Sequence, residues 1–227
     1  MSIFATVTLT CPDCGATNAT EWAASVNADR RPDLRAAILD GSFQAHECSE
    51  CGARLRLPSH LTYLDTGRGQ WIVVEDPGQL PGWAAQEADA KTLFAESYGA
   101  SAPPAARALA ANMQPRLVYG WAGLREKLIC HDLGLDDLTL ELLKLAMLRD
   151  GQGFRLGGSQ ALRLAGGDAG VLRLDLLDGE VEAVQGTAEV PRAGYDAIAA
   201  DPGPWADLRA LFDGALFIDA ARTTLAG

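Results

Sequence analysis

The sequence predicts an α+β fold, and three observations carry that expectation. Two matched turns, Cys11-Pro12-Asp13-Cys14 and Cys48-Ser49-Glu50-Cys51, are each followed by glycine (Gly15, Gly52) and sit among short runs rich in Thr, Val and Trp. Past the Pro/Gly-rich run at 76–82, the composition turns to Ala and Leu at helical spacing. The last third returns to short runs punctuated by Gly and Asp, which read as antiparallel strands. The expected organisation is an N-terminal four-cysteine zinc ribbon with an inserted helix over 1–79. An Ala-rich helical connector follows over 80–112, and a C-terminal α+β domain over 113–227.

The case for zinc is chemical. Two residues between cysteines let both thiolates turn toward one ion at about 2.3 Å. The turn after the second cysteine favours a positive φ, which glycine adopts without a Cβ clash. Pro12 stiffens the first turn; Ser49 stands at the equivalent place in the second. A redox Cys-x-x-Cys calls for a single pair at a strand-to-helix junction, whereas here two pairs lie in strand-rich surroundings. A disulfide framework belongs to small secreted chains, and MSIFATVTLT reads as a first strand rather than a targeting signal. Iron in the same all-thiolate cage stays open as an alternative. Four sulfur ligands, Cys11, Cys14, Cys48 and Cys51, leave no position for a catalytic water, so the zinc is expected to be structural. His46 is two residues before Cys48 and is expected to pack near the site rather than to ligate.

The elements follow in order. Residues 5–10 and 17–27 read as strands flanking the first knuckle. Pro32 suits a first helical turn, Leu34, Ala37 and Ile38 give that helix an apolar face, and Gly41 stops it. Residues 42–47 return to the second knuckle and 53–57 leave it. LTYLD and QWIVVE, joined by Thr66-Gly67-Arg68-Gly69, read as a β-hairpin. The run at 76–82 is the strongest boundary signal in the chain. Residues 83–112 are helical with a break at 99–104, and PRLVY is a short strand. A helix from about 120 to 133 carries Trp121, Leu124 and Leu128 on one stripe, with Gly134 after its end. Asp136 or Asp137 caps the next helix, LTLELLKLAMLRD, which is apolar on more than one face and so belongs to a core or a partner interface. ALRLAG, VLRLDLLDG and EVEAVQG read as strands, with Asp178-Gly179 as a two-residue turn. PRAGYDAIAAD and PWADLRALFDG read as helices and ALFIDA as a final strand.

Composition bounds the function. The chain has 227 residues, 48% hydrophobic, with no apolar run near the roughly 20 residues of a membrane span. A reducing cytoplasm is the expected compartment, because thiols there stay available for metal. The net charge of −11 argues against general nucleic-acid binding. Arg30, Arg31, Arg35, Arg54, Arg56 and Arg68 form the one plausible basic group, opposed at the knuckle tips by Asp13 and Glu50. Three histidines, His46, His60 and His131, assemble no hydrolytic triad. Cys130 falls opposite Trp121 on its helix and reads as a small packed residue. Asp132, Asp136, Asp137 and Glu141 read as caps and solvated charges rather than a hard-metal site. Gly-Gln-Gly at 151–153 and Gly157-Gly158-Ser159 lack the lysine and spacing of a P-loop.

CPDCG, the spacer holding RPDLRAAILDGSF, CSECG, and the downstream LREKLICHDLGLDDLTLELLKLAML resemble the bacterial CpXC proteins over residues up to about 149. The resemblance implies metal binding through Cys11, Cys14, Cys48 and Cys51, and it implies no activity. The expected role is therefore a non-catalytic adaptor or interaction subunit with a protein partner. The alternatives are a nucleic-acid-binding ribbon using the arginine face, or an enzyme whose site lies in the C-terminal domain.

Overall fold

The computed structural model describes residues 2–149, 160–179 and 182–225. The fold is α+β, with three sheets among the described residues. β1 (Ile3–Thr10) and β2 (Thr17–Asn27) form an antiparallel hairpin. β2 pairs in parallel with β5 (Leu61–Asp65), which pairs antiparallel with β6 (Gln70–Glu75). β6 pairs in parallel with β7 (Gln114–Tyr119). The order of this main sheet is β1-β2-β5-β6-β7. β3 (Ala45–Glu47) and β4 (Arg54–Arg56) form a small separate pair. β8 (Gln160–Gly167), β9 (Val171–Asp178) and β10 (Val184–Pro191) form an antiparallel sheet with β9 at its centre.

Helix α1 (Pro32–Asp40) starts on Pro32 and ends at Gly41 with φ 79°, as its sequence signals predict. QWIVVE is apolar at successive positions because both faces of β6 are covered. Ile72 and Val74 join Trp121, Leu124 and Leu128 of α4 (Gly120–Asp132) in one core. Trp71 and Val73 face the other way, toward Ala90 and Phe94 of α2 (Trp83–Tyr98) and Phe217. A third core lies under β8 and β9, where α5 (Asp137–Arg149) and α6 (Arg192–Ala200) cover Leu162, Leu164, Leu172 and Leu174. The multi-faced apolar helix α5 is thus a core element: Leu140 and Leu142 are fully buried.

The expected divisions at 79/80 and 112/113 fall inside this architecture. A parallel neighbour cannot be reached by a tight turn, so β6 and β7 need a crossover. Residues 76–113 are that crossover: a 3-10 turn at Pro77–Gly82, capped by Asp76 accepting from Gly78 N–H, then α2 and α3 (Pro104–Ala110). The Pro/Gly run forms the 3-10 turn that leads into α2.

The C-terminal region departs from expectation in three places. β10 begins at Val184, so the β9–β10 connection is longer than an Asp178-Gly179 turn; residues 180–181 are outside the described residues, as are both Gly-rich runs at 151–159. PWADLRALFDG gives a 3-10 turn at Gly203–Trp205 and only five helical residues in α7 (Ala206–Ala210). ALFIDA is not a strand. One backbone bond, Leu117 N–H to Leu216 C=O at 3.0 Å, ties it to the β7 edge. Local backbone turns meet some of its other polar groups, such as Ala215 N–H to Phe212 C=O and Ile218 N–H to Leu216 C=O, and side chains meet the rest named here. Glu87 of α2 accepts from Leu216 N–H at 2.6 Å and Phe217 N–H at 2.9 Å, and also pairs with Arg222 at the start of α8 (Arg222–Leu225). Lys127 donates to Ile218 C=O at 2.7 Å, and Glu141 accepts from Ala220 N–H at 2.9 Å. Buried backbone groups must be paired, and here carboxylates and a lysine do what a neighbouring strand would do.

Glu87 is 5% exposed, and its carboxyl is held below the usual range. Burial opposes that shift, while the Phe217 and Leu216 N–H groups and Arg222 outweigh it. Glu87→Ala would orphan two buried N–H groups. The expected result is a loss of about 1–3 kcal/mol per group left unpaired. Hydrogen exchange should show it as faster exchange at 216–217, with β5 and β6 unchanged.

Behind this segment lies a charge network that the sequence reading did not find. Lys144 lies between Glu126 at 2.5 Å and Glu141 at 2.8 Å, and all three are at most 1% exposed. Arg163 contacts Glu126 and Asp219. Leu164 N–H donates to Glu126 at 2.6 Å. Lys127 and Arg116 both pair with Asp137, Arg116 through two bonds at 2.7 and 3.0 Å. Asp137 and Glu141 are therefore buried ion partners; neither is a solvated charge. Asp136 is the cap, accepting from Thr139 N–H at 2.8 Å.

Candidate metal centre

Each cysteine turn closes on the same bonds. Gly15 N–H donates to Cys11 C=O at 2.9 Å, and Cys11 N–H to Ala16 C=O at 2.8 Å. In the second turn Gly52 N–H donates to Cys48 C=O at 2.9 Å, and Cys48 N–H to Ala53 C=O at 2.8 Å. Gly15 and Gly52 have φ of 74° and 73°, the left-handed conformation both turns require. The β1–β2 hairpin presents the first turn at its tip, and the β3–β4 pair presents the second. Leu9, Ala16, Ala53 and Leu55 pack around Cys11 and Cys48, which are buried, while Cys14 and Cys51 face solvent.

The four Sγ atoms all lie within 4.8 Å of one another. Cys11–Cys51 and Cys14–Cys48 are each 3.6 Å apart. A disulfide needs about 2.0 Å, whereas a tetrahedron with metal–sulfur bonds of about 2.3 Å has sulfur edges of roughly 3.8 Å. The residues therefore fit one four-coordinate ion held by both turns, each contributing two sulfurs. Backbone N–H groups of Cys51 and Glu50, with the Asn18 amide at 3.5 Å, bring the Cys48 thiol down to about 6. A thiolate is the ligand form, so these N–H groups prepare the sulfur for a metal. Asn18 also accepts from Ser49 N–H at 2.9 Å and so stitches the two turns together. Sequence reading passed over Asn18; its place one position beyond the first turn's strand start gives no signal of the contact.

His46 stands outside the sulfur cluster and is 2.9 Å from Thr20 Oγ1. His60 pairs with Glu75 at 2.7 Å and stacks on Trp22. His131 lies at the far end of α4, 3.9 Å from Asp132. Cys130 is 2% exposed in the core with Leu140 and Leu174, and burial raises its thiol well above the usual range. Carboxylates hold three of the six arginines. Arg31 pairs with Asp33, Arg68 with Asp65, and Arg35 with both Asp65 and Asp132. Arg30 and Arg54 are exposed, and the side chain of Arg56 lies outside the described part of the structure.

Among the described residues no helix is long and apolar enough to cross a membrane. No curated protein and no solved structure matches the chain significantly. The family model described as CpXC protein matches residues 9–144, from the strand before the first cysteine turn to Lys144 of the buried network. That span takes in both cysteine turns, the whole crossover and most of α5. On this match over more than half its length, the chain belongs to the CpXC family.

Proposed function

We propose that Cys11, Cys14, Cys48 and Cys51 hold one Zn2+ as a closed structural site, and that the protein works in the cytoplasm as a non-catalytic adaptor. The observation that supports the metal reading is the cluster of four sulfurs within 4.8 Å of one another, two of its pairs 3.6 Å apart. An ion bound this way has no position left for water or substrate, so its contribution is folding energy. Sulfur alone favours zinc over hard cations. The adaptor reading draws on charge. The net charge of −11 and the carboxylate partners of Arg31, Arg35 and Arg68 leave few cations to displace counterions from a phosphate backbone.

Elemental analysis with X-ray absorption tests the metal. The expected result is one zinc per chain with four sulfur neighbours near 2.3 Å. Iron, a nitrogen or oxygen ligand, or two disulfides without metal would overturn it. Fluorescence anisotropy on the same preparation, run across a salt series with duplex DNA and single-stranded RNA, tests the rest. Sub-micromolar binding that weakens steeply with salt and is lost in Arg54→Glu/Arg56→Glu would replace the adaptor reading with a nucleic-acid one.

A further inference from the structure

Every exposed sheet edge is a row of unpaired N–H and C=O groups, and proteins guard such edges with charges, prolines, bulges or cover. Three of the four outer strands of the two larger sheets are guarded. β7 carries Pro115 and Arg116, and its Leu117 N–H is taken by Leu216 C=O. β8 carries Arg163 and a register shift between Leu164 and Gly166. β10 carries Glu189, Pro191 and a shift between Val184 and Gly186. β1 differs: IFATVTLT has eight residues, no charge and no proline, and its single irregularity is at its first step. It is the outer strand of the main sheet, with Ile3 56% and Phe4 36% exposed. At about 3.4 Å per residue it offers some 27 Å of open ladder.

We propose that β1 is a docking edge for β1 of a second copy of this chain, joining two five-stranded sheets across a two-fold axis. Two features of the strand favour a copy of itself. The first is charge: in a chain of net charge −11, β1 is an outer strand at which two copies meet without opposing like charges. The second is register. Side chains alternate, so Ala5, Val7 and Leu9 share one face while Thr6, Thr8 and Thr10 share the other. An antiparallel two-fold pair with Val7 opposite Val7 sets Ala5 opposite Leu9 and Thr6 opposite Thr8. Apolar then meets apolar at 5, 7 and 9 and threonine meets threonine at 6 and 8, cross-strand pairings that stabilise a sheet, while Thr10 faces Phe4. This interface stands apart from the metal and adaptor readings, since β1 contributes no ligand beyond placing Cys11 after its end.

Sedimentation velocity of the metal-loaded full chain over a concentration series is the test. The expected result is a reversible doubling of mass, favoured by added salt, which screens the repulsion between acidic copies. Thr6→Lys/Thr8→Lys places lysines of the two copies opposite each other on an exposed face and should abolish the doubling. Unchanged metal content and circular dichroism would show the variant folded. Hydrogen exchange on the wild type is a second reading that needs no variant: protection at residues 4–10 should rise with concentration. A monomer at every concentration, doubling that persists in the folded lysine variant, or concentration-independent exchange at 4–10 would each overturn the proposal. So would a wild-type monomer whose β1 amides are protected only by a foreign strand.

Discussion

Lys144→Met is expected to cost about 3–5 kcal/mol, the penalty for removing one partner of a buried ion pair. That is a large share of the roughly 5–15 kcal/mol that holds a typical domain folded. Lys144 is 1% exposed, and its ammonium lies between two carboxylates. Methionine fills a similar volume but leaves Glu126 with Arg163 alone and takes from Glu141 its nearest cation. Urea unfolding followed by tryptophan fluorescence is the measurement. A change below about 1 kcal/mol, the size of a surface pair, would show that the network contributes nothing special. Metal content should be unchanged, because the cysteine turns belong to a different core.

The pH dependence of this site has a definite sign. One ammonium serves two carboxylates, so Glu126 is held below the usual range and Glu141 is not. Burial, with the nearby Glu126 and Asp219 charges, pushes Glu141 up to about 7 from an ordinary 4.5, against the pull of Lys144. The unfolded chain releases this proton first. The group's contribution is therefore full below 4.5 and is lost as pH rises through about 7. Asp219 acts oppositely. Burial opposes its ionisation, but Arg163 and Lys144 bring it down to about 2, so its contribution holds above 3.8 and is lost as pH falls toward 2. Removing Lys144 should extend the Glu141 decline to higher pH.

Cys48→Ser is expected to abolish metal binding and to unfold the two cysteine turns while leaving most of the main sheet intact. Structural zinc supplies on the order of 10–16 kcal/mol to small modules at neutral pH. Under the zinc reading proposed above, that energy would hold a satellite: the core around Cys11 and Cys48 is small, whereas β5, β6 and β7 lie in larger cores of their own. Hydrogen exchange should show lost protection at 9–18 and 44–57, with β5 through β7 still protected. Equal loss throughout would make the metal a requirement for the whole fold. Loss confined to residues before Pro77 but including all of β5 and β6 would place a module boundary at the 76–82 run.

The local features of this chain are written in local chemistry. Pro32 and Gly41 bound α1, Gly134 follows α4, and the two Cys-x-x-Cys-Gly runs become two turns with matching bonds. What the sequence leaves hidden depends on distant partners. Nothing near the 76–82 run says that β6 and β7 will lie side by side, because a parallel pair joins segments separated by their crossover. ALFIDA alternates like a strand, yet Glu87, well over a hundred residues earlier, takes its N–H groups. Glu126, Glu141 and Lys144 look like an ordinary charged helix face until β8 and the C-terminal segment close over them. The four-cysteine cluster was legible because spacing carries its geometry; the ion network was not, because only packing does.

The segment at 215–222 sets a timetable. Glu87, Lys127 and Glu141 complete their sets of partners only with residues 216–222. During synthesis, at about 5–20 residues per second, α2, α4 and α5 emerge several seconds ahead of them. Through that interval Glu87, Lys127 and Glu141 hold only part of their final set of partners, so the earlier helices have reason to stay loosely docked. A stretch made well after α2, α4 and α5 is the one that locks them down.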